Sequence, residues 1–227
     1  MRRLTQTVVS VTLVALASCS LPEAPQPRFI IVLVDETGSY LDQGFWQESL
    51  EIIAHQVVPA LGARDQFLVI GIDDEGFQSE DARLGIETLD ISDLKAQLQK
   101  RELAERVLQI SPRKPARPKT DVFGAIEHAA YFFDAQKDEY RPVLLVFSDL
   151  VQTSSRIPTA AKAQASQYRF PPNTFSRLLY VNATGGADYD ELRELWIPPL
   201  NAIGLEVTEA NFFQQSQTVQ ALAEFPR

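Results

Sequence analysis

The sequence predicts an open, doubly wound, mostly parallel α/β sheet with helices on both faces. Three observations predict it. Phe29–Val34 and Pro142–Phe147 are continuous apolar runs, the pattern of strands buried on both faces. Segments of strand and helix character alternate along most of the chain, as a parallel sheet with crossover helices requires. Both runs end in acid, at Asp35 and Asp149, and sheets of this kind bind ligands beyond the carboxyl ends of their strands.

The elements follow in order. After the strand at 29–34, apolar residues at 46, 50, 53, 57 and 61 recur at intervals of three and four, which predicts an amphipathic helix from Gly44 to Leu61, stopped by Gly62. Gln66–Ile72 is a second strand. The acidic connection Asp73–Asp81 reads as a solvated turn, because its glycine does not follow the spacing of a calcium loop. Leu84–Leu89 is a third strand, paired antiparallel with the second. Ser92 can cap a helix running to about Leu108. Ser111–Thr120, with three prolines and four bases, is an exposed loop. Thr120 and Asp121 open a further helix, with Val122, Ile126, Ala129 and Phe133 along one face. The strand ending in Ser148 and Asp149 follows. The polar stretch 151–176 reads as a long surface excursion. Arg177–Asn182 is a strand, and Asp188–Trp196 a helix broken at Pro198-Pro199 that can resume to Ile203. Leu205–Val207 begins a last strand and Thr218–Phe225 a last short helix.

The first residues do not belong to this fold. Arg2 and Arg3 precede a mostly apolar stretch, Val8–Ala17, which is shorter than the roughly 20 residues that span a bilayer. It fits the centre of an export signal. Leu16-Ala17-Ser18-Cys19 resembles the lipobox of bacterial lipoproteins, and this resemblance implies cleavage before Cys19 and acylation of its thiol and new amino terminus. The expected organisation is therefore a signal peptide at 1–18, a lipidated cysteine and proline-rich tether at 19–28, and one domain at 29–227. Cys19 is the only cysteine, so neither an intramolecular disulfide nor a thiolate zinc cluster can form. The tether, with prolines at 22, 25 and 27, reaches about 30 Å and keeps the domain close to a membrane. Ser20 stands where, in enterobacterial sorting, an aspartate favours the inner membrane. Outer-membrane attachment facing the periplasm is expected in a Gram-negative host. The chain carries a net charge of −9, which disfavours broad contact with nucleic acid or anionic lipid.

Asp35, Thr37, Ser39, Thr120 and Asp149 all lie at a strand end or a helix start. They supply oxygen donors alone, which select a hard cation such as magnesium, manganese or calcium. "DETGS" at 35–39 resembles the D-x-S-x-S signature of von Willebrand factor A domains, with Thr37 in place of the first serine. "KTDVFGAIEHA" resembles the segment around that family's metal-site threonine, and "VFSDL" its last strand and aspartate. Leu150 stands where the family often has glycine. The three pieces come in the family's order, and the resemblance covers most of 29–210. It implies a metal-ion-dependent adhesion site. Thr37 and Ser39 would be direct ligands, with Asp35, Thr120 and Asp149 direct or bridged by water. It also implies a protein partner that offers an Asp or Glu to an open coordination position.

Enzymatic readings fit less well. A haloacid-dehalogenase-type phosphotransferase needs a second aspartate two residues after the first, and Thr37 cannot transfer protons there near neutral pH. There is no phosphate-binding glycine loop and no nucleophile elbow. His55 and His128 lie within predicted helices, as surface or interface residues. Arg113, Lys114, Arg117 and Lys119 run into Thr120 and can steer an acidic partner to the site. The sequence thus predicts a lipid-anchored binding domain, not an enzyme. The alternatives are a metal-independent scaffold of the cell envelope and, further off, a metal-dependent hydrolase.

Overall fold

The computed structural model describes residues 26–72, 82–112, 120–136, 138–151 and 157–225. The predicted signal peptide, Cys19, most of the tether, the acidic stretch 73–81 and the four bases at 113–119 lie outside these residues.

A six-stranded sheet in the order β3-β2-β1-β4-β5-β6 forms the centre. Its strands are β1 (Arg28–Asp35), β2 (Gln66–Ile72), β3 (Ala82–Thr88), β4 (Arg141–Phe147), β5 (Phe175–Leu179) and β6 (Phe212–Phe213). All neighbours are parallel except β2 and β3. β1 lies between β2 and β4 and is buried along its whole length. Its alternation divides the core. Phe29, Ile31 and Leu33 pack with α5 (Val122–Asp134) and α7 (Tyr189–Ala202). Ile30, Val32 and Val34 pack with α1 (Gly38–Asp42), α2 (Phe45–Ile52), α3 (Val58–Ala60), α4 (Asp93–Leu108) and α8 (Thr218–Ala223). The open, doubly wound α/β class is the one the sequence predicts.

Several elements differ from expectation, each for a local reason. The helix expected over 44–61 is interrupted: Ile53–Val57 forms a π-helical turn in which the Val58 N–H reaches the Ile53 carbonyl. In α register the Pro59 ring would collide with the His55 carbonyl, and the widened turn just before it accommodates that ring. Ser92 holds the N-cap of α4 but makes no capping bond through its side chain. Its N–H instead donates to Asp90 Oδ1 at 2.8 Å. Pro198 and Pro199 do not break α7, which continues to Ala202. The carbonyls they leave without intrahelical donors belong to Glu194 and Leu195, both exposed, so water can serve them.

The stretch after Asp149 is less of an excursion than its polarity suggests. Ile157, Ala163 and Phe170 are buried, and α6 (Ala160–Gln164) packs on α7. The strand expected at 177–182 runs instead from Phe175 to Leu179 and ends in a turn at Tyr180, where φ is +68°. Leu205 and Val207 are buried but form no strand. The Asn201 side chain accepts from Val207 N at 2.7 Å and donates to its carbonyl at 3.0 Å, so one side-chain amide satisfies both backbone groups. The last strand is the two-residue β6.

Candidate metal centre

The chain reverses its direction of travel across the sheet at β1. From β1 it goes to β2 on one side, and later reaches β4 on the other. The loops leaving β1 and β4 therefore diverge, and this is where open α/β sheets form a crevice. Asp35 ends β1 and Asp149 follows β4 by two residues. α5 descends to the start of β4, so Thr120, just before its N-cap Asp121, is at the same edge. Ser39 lies in the first turn of α1, directly beyond Thr37.

Asp35 is fully buried, with Asp149 and Thr37 nearly so. Its Oδ1 accepts from Thr37 N at 2.9 Å and from Thr37 Oγ1 at 2.7 Å. Thr37 is the N-cap of α1, yet its hydroxyl makes no bond to the helix because it donates to Asp35. Asp35 Oδ2 accepts from Ser148 Oγ at 2.7 Å. Asp149 accepts from Val151 N at 2.9 Å and from Thr184 Oγ1 at 2.6 Å. Ser39 is exposed and Thr120 half-buried, and no hydrogen bond among the described residues ties either to the aspartates. The predicted set is thus a buried acidic floor with two hydroxyls at its rim.

Burial pushes Asp35 up to about 6, with the charge of Asp149 adding to the effect and the bonds from Ser148 and Thr37 opposing it. Asp149 is also raised by burial, against the bonds from Thr184 and Val151. Two carboxylates are therefore held out of water, with the charge acting on Asp35 being that of another acid. Among the described residues no three His, Cys, Asp or Glu side chains gather to hold a metal. A cation here would depend on hydroxyls as well as the two acids. That donor set fits a hard divalent ion and not a soft one.

Three contributors escaped sequence reasoning. Ser148 stands beside Asp149 in "VFSDL", but its bond to Asp35 depends on the β1–β4 pairing. Thr184 follows β5 and carries no pattern of its own. The third is the turn after Asp149. Leu150 has φ +56°, the left-handed conformation that glycine adopts without strain. Ser148 Oγ accepts from Leu150 N at 3.0 Å, and the buried Trp196 indole donates to Leu150 O at 3.1 Å. The leucine side chain is fully buried in the core under α7. The turn keeps the glycine geometry, and packing offsets its strain. Left-handed strain is of order 1–3 kcal/mol, while emptying a buried leucine site costs about 2–5 kcal/mol. Leu150→Gly is accordingly expected to destabilise the domain by roughly 1–3 kcal/mol in urea unfolding, and a stabilised variant would show that strain dominates.

No protein-family model and no curated protein matches the sequence. Solved structures do match the fold. The pilus adhesin SpaC from Lactobacillus rhamnosus GG, in an open conformation, superposes with a TM-score of 0.52 at 11% identity, over 88% of this chain and 30% of the adhesin. Manganese-loaded TRAP protein of Plasmodium vivax gives 0.52 at 12% identity, over 87% of this chain and 72% of that one. Proximal thread matrix protein 1 from the mussel byssus gives 0.50 at 12% identity, over 87% of this chain and 46% of that one. The chain thus spans under a third of the adhesin and under half of the thread protein. At these identities the likeness shows the fold alone, an open, doubly wound, mostly parallel α/β sheet.

Proposed function

We propose that this chain is a lipid-anchored, extracytoplasmic binding domain that engages a protein partner through a divalent cation. The observation that carries the reading is the pair of buried carboxylates, Asp35 and Asp149, at the switch point of the sheet with hydroxyls around them. Thr37, Ser39 and Thr120 complete the donor set. Magnesium is the first choice of ion, with manganese or calcium as alternatives. When bound, the ion supplies an open coordination position that takes a carboxylate from the partner. The residues of this chain prepare that position. Thr37 and Ser148 orient the Asp35 carboxylate, Thr184 orients Asp149, and Ser39 and Thr120 stand where an approaching side chain arrives.

The adhesin and the manganese-loaded protein among the similar folds support a role in adhesion or recognition. The reading is non-catalytic: Thr37 occupies the place where a phosphotransferase would need a proton-transferring acid. The lipobox resemblance at Cys19 and the proline-rich tether support a position in the cell envelope, at the periplasmic face of the outer membrane in a Gram-negative host. Arg113, Lys114, Arg117 and Lys119 would steer an acidic partner towards Thr120.

Calorimetric titration with magnesium, manganese and calcium tests the site. The chain is expected to bind at least one of them, and Asp35→Ala combined with Thr120→Ala to abolish that binding while the circular dichroism spectrum stays native. Unchanged affinity in the double variant would remove these residues from the site. Capture of an envelope protein that is lost on chelation tests the partner.

A further inference from the structure

The end of the domain opposite the aspartates carries an apolar group that the proposed function leaves unused. Ile91 and Leu94 are 76% and 75% exposed, and Leu98 is 53% exposed. Leu94 and Leu98 are one turn apart on α4 and share a face, while Ala96, Leu103 and Val107 of the same helix are buried. The large apolar side chains of α4 thus face outward over its first half and inward over its second, with only the small Ala96 buried in the first. Among the described residues no helix is long and apolar enough to cross a membrane.

Its position in the fold suggests which surface. Leu89, two residues before Ile91, donates its N–H to the Asp65 carbonyl at 3.0 Å, and its carbonyl accepts from Arg64 N at 3.1 Å. The Asp65 carboxylate accepts from Arg28 N at 2.7 Å and from Arg28 Nε at 2.9 Å. Arg28 opens β1. The apolar group is thus linked, through one short chain of bonds, to the point where the amino-terminal segment enters the fold. The turn that presents it is fixed, because Asp90 N donates to Gln99 Oε1 at 2.7 Å and Ser92 N to Asp90 Oδ1 at 2.8 Å. The eight residues of β1 separate this end from Asp35 by about 26 Å at 3.3 Å per residue. Across 90–106 the acids Asp90, Asp93, Glu102 and Glu105 balance Lys95, Lys100, Arg101 and Arg106, so this end is close to neutral in a chain of net charge −9.

We propose that Ile91, Leu94 and Leu98 rest in the interfacial layer of the bilayer to which the amino terminus is attached, and thereby set the domain upright with its aspartate edge facing away from the membrane. The proposal rests on the lipid-anchor reading of the proposed function. Three side chains give little affinity on their own. Behind a tether of about 30 Å, contact becomes intramolecular at an effective concentration on the order of millimolar, and weak burial is then enough to choose an orientation. Anionic lipid headgroups repel the acidic remainder of the surface, which leaves this near-neutral end as the one that can approach.

The test uses the full chain purified from membranes and reconstituted into phosphatidylethanolamine–phosphatidylglycerol vesicles with brominated acyl chains. Native Trp46 and Trp196 are buried and give a constant background. Leu94→Trp is expected to add an emission that is blue-shifted and largely quenched by the brominated lipid. Gln43→Trp, exposed beyond α1 on the aspartate side, is expected to add one that is not quenched. Mass spectrometry of the same preparations reads the acyl chains separately. Acylated protein with an unquenched Leu94→Trp indole overturns the proposal and leaves the anchor standing. A quenched indole on vesicle-bound protein without acyl chains upholds the surface contact and removes the anchor. An indole that shifts with protein concentration and not with lipid assigns the patch to a second copy of the chain and overturns the proposal.

Discussion

Gly71→Ala is expected to cost about 3–5 kcal/mol of folding stability, a large share of the roughly 5–15 kcal/mol that holds a domain together. Gly71 lies on β2 opposite Val34, beside the loop that carries Asp35 and Thr37. A Cβ at this position would stand 2.5 Å from Glu36 Cδ and Oε1, and 2.8 Å from Arg83 Nη2. Glu36 is fully buried, and its carboxylate is fixed by the Arg83 guanidinium, with Nε donating to Oε1 at 2.6 Å and Nη2 paired with Oε2. An added methyl must displace the ends of these two side chains, and the expected loss is that of disturbing a buried pair of opposite charges, which leaves desolvation uncompensated. Urea unfolding measures the loss. The cause is tested by repeating Gly71→Ala in a Glu36→Ala background. The second substitution should cost far less there, since the two nearest atoms it would strike are gone and Arg83 is released from the pair; additive losses would refute the steric account. Because Glu36 lies between Asp35 and Thr37, Gly71→Ala should also weaken divalent-ion binding.

Metal-free protein is expected to lose stability as pH rises through the range set by Asp35. Its folded value of about 6 lies above the ordinary value of 3.8. The folded state therefore holds the proton more tightly than the unfolded state. Below pH 3.8 the group makes no difference, between the two values the folded state is progressively penalised, and above pH 6 the full penalty remains. At 1.36 kcal/mol per unit it amounts to about 3 kcal/mol. With chelator present, thermal unfolding should show Asp35→Asn stabilised relative to the native chain at pH 7.5, with the difference vanishing near pH 3.8. A saturating divalent ion should close the gap at neutral pH from the other side, by stabilising the native chain and not the variant. If the native chain and Asp35→Asn respond identically to pH under chelation, the buried carboxylate is not the source of the penalty.

The sequence revealed what depends on contiguous residues. β1 and β4 are legible because strands buried on both faces must be apolar throughout, and the acids at their ends break that pattern abruptly. The order of strands and helices then leads to the fold class, and the two aspartates to one edge. What escaped depends on distant partners. Nothing near Glu36 in the chain announces Arg83, and nothing near Asp149 announces Thr184. β6 was misplaced because Leu205 and Val207 are as apolar as a strand, while the Asn201 amide that replaces their ladder is itself an unremarkable helix residue. The prolines of α7 look like a break only if their orphaned carbonyls are assumed to be buried. Leu150 shows the converse: the missing glycine was visible, but its conformation persists because Trp196 and the core hold it.

The two margins of the sheet decide how this molecule can be joined to others. β3 pairs with β2 through two register shifts and carries Arg83 and Glu87 along its length, so its outer side is neither flat nor apolar. β6 has only two residues, the Phe212 carbonyl is occupied by the Tyr189 hydroxyl at 2.7 Å, and the Arg177 guanidinium stacks over the Phe213 ring. An incoming strand would find a kinked, charged margin on one side and almost no ladder on the other. Edge-to-edge polymerisation is thereby suppressed. Recognition by strand addition is suppressed with it, and ligands are left to the loops above β1 and β4 or to the outer faces of the helices.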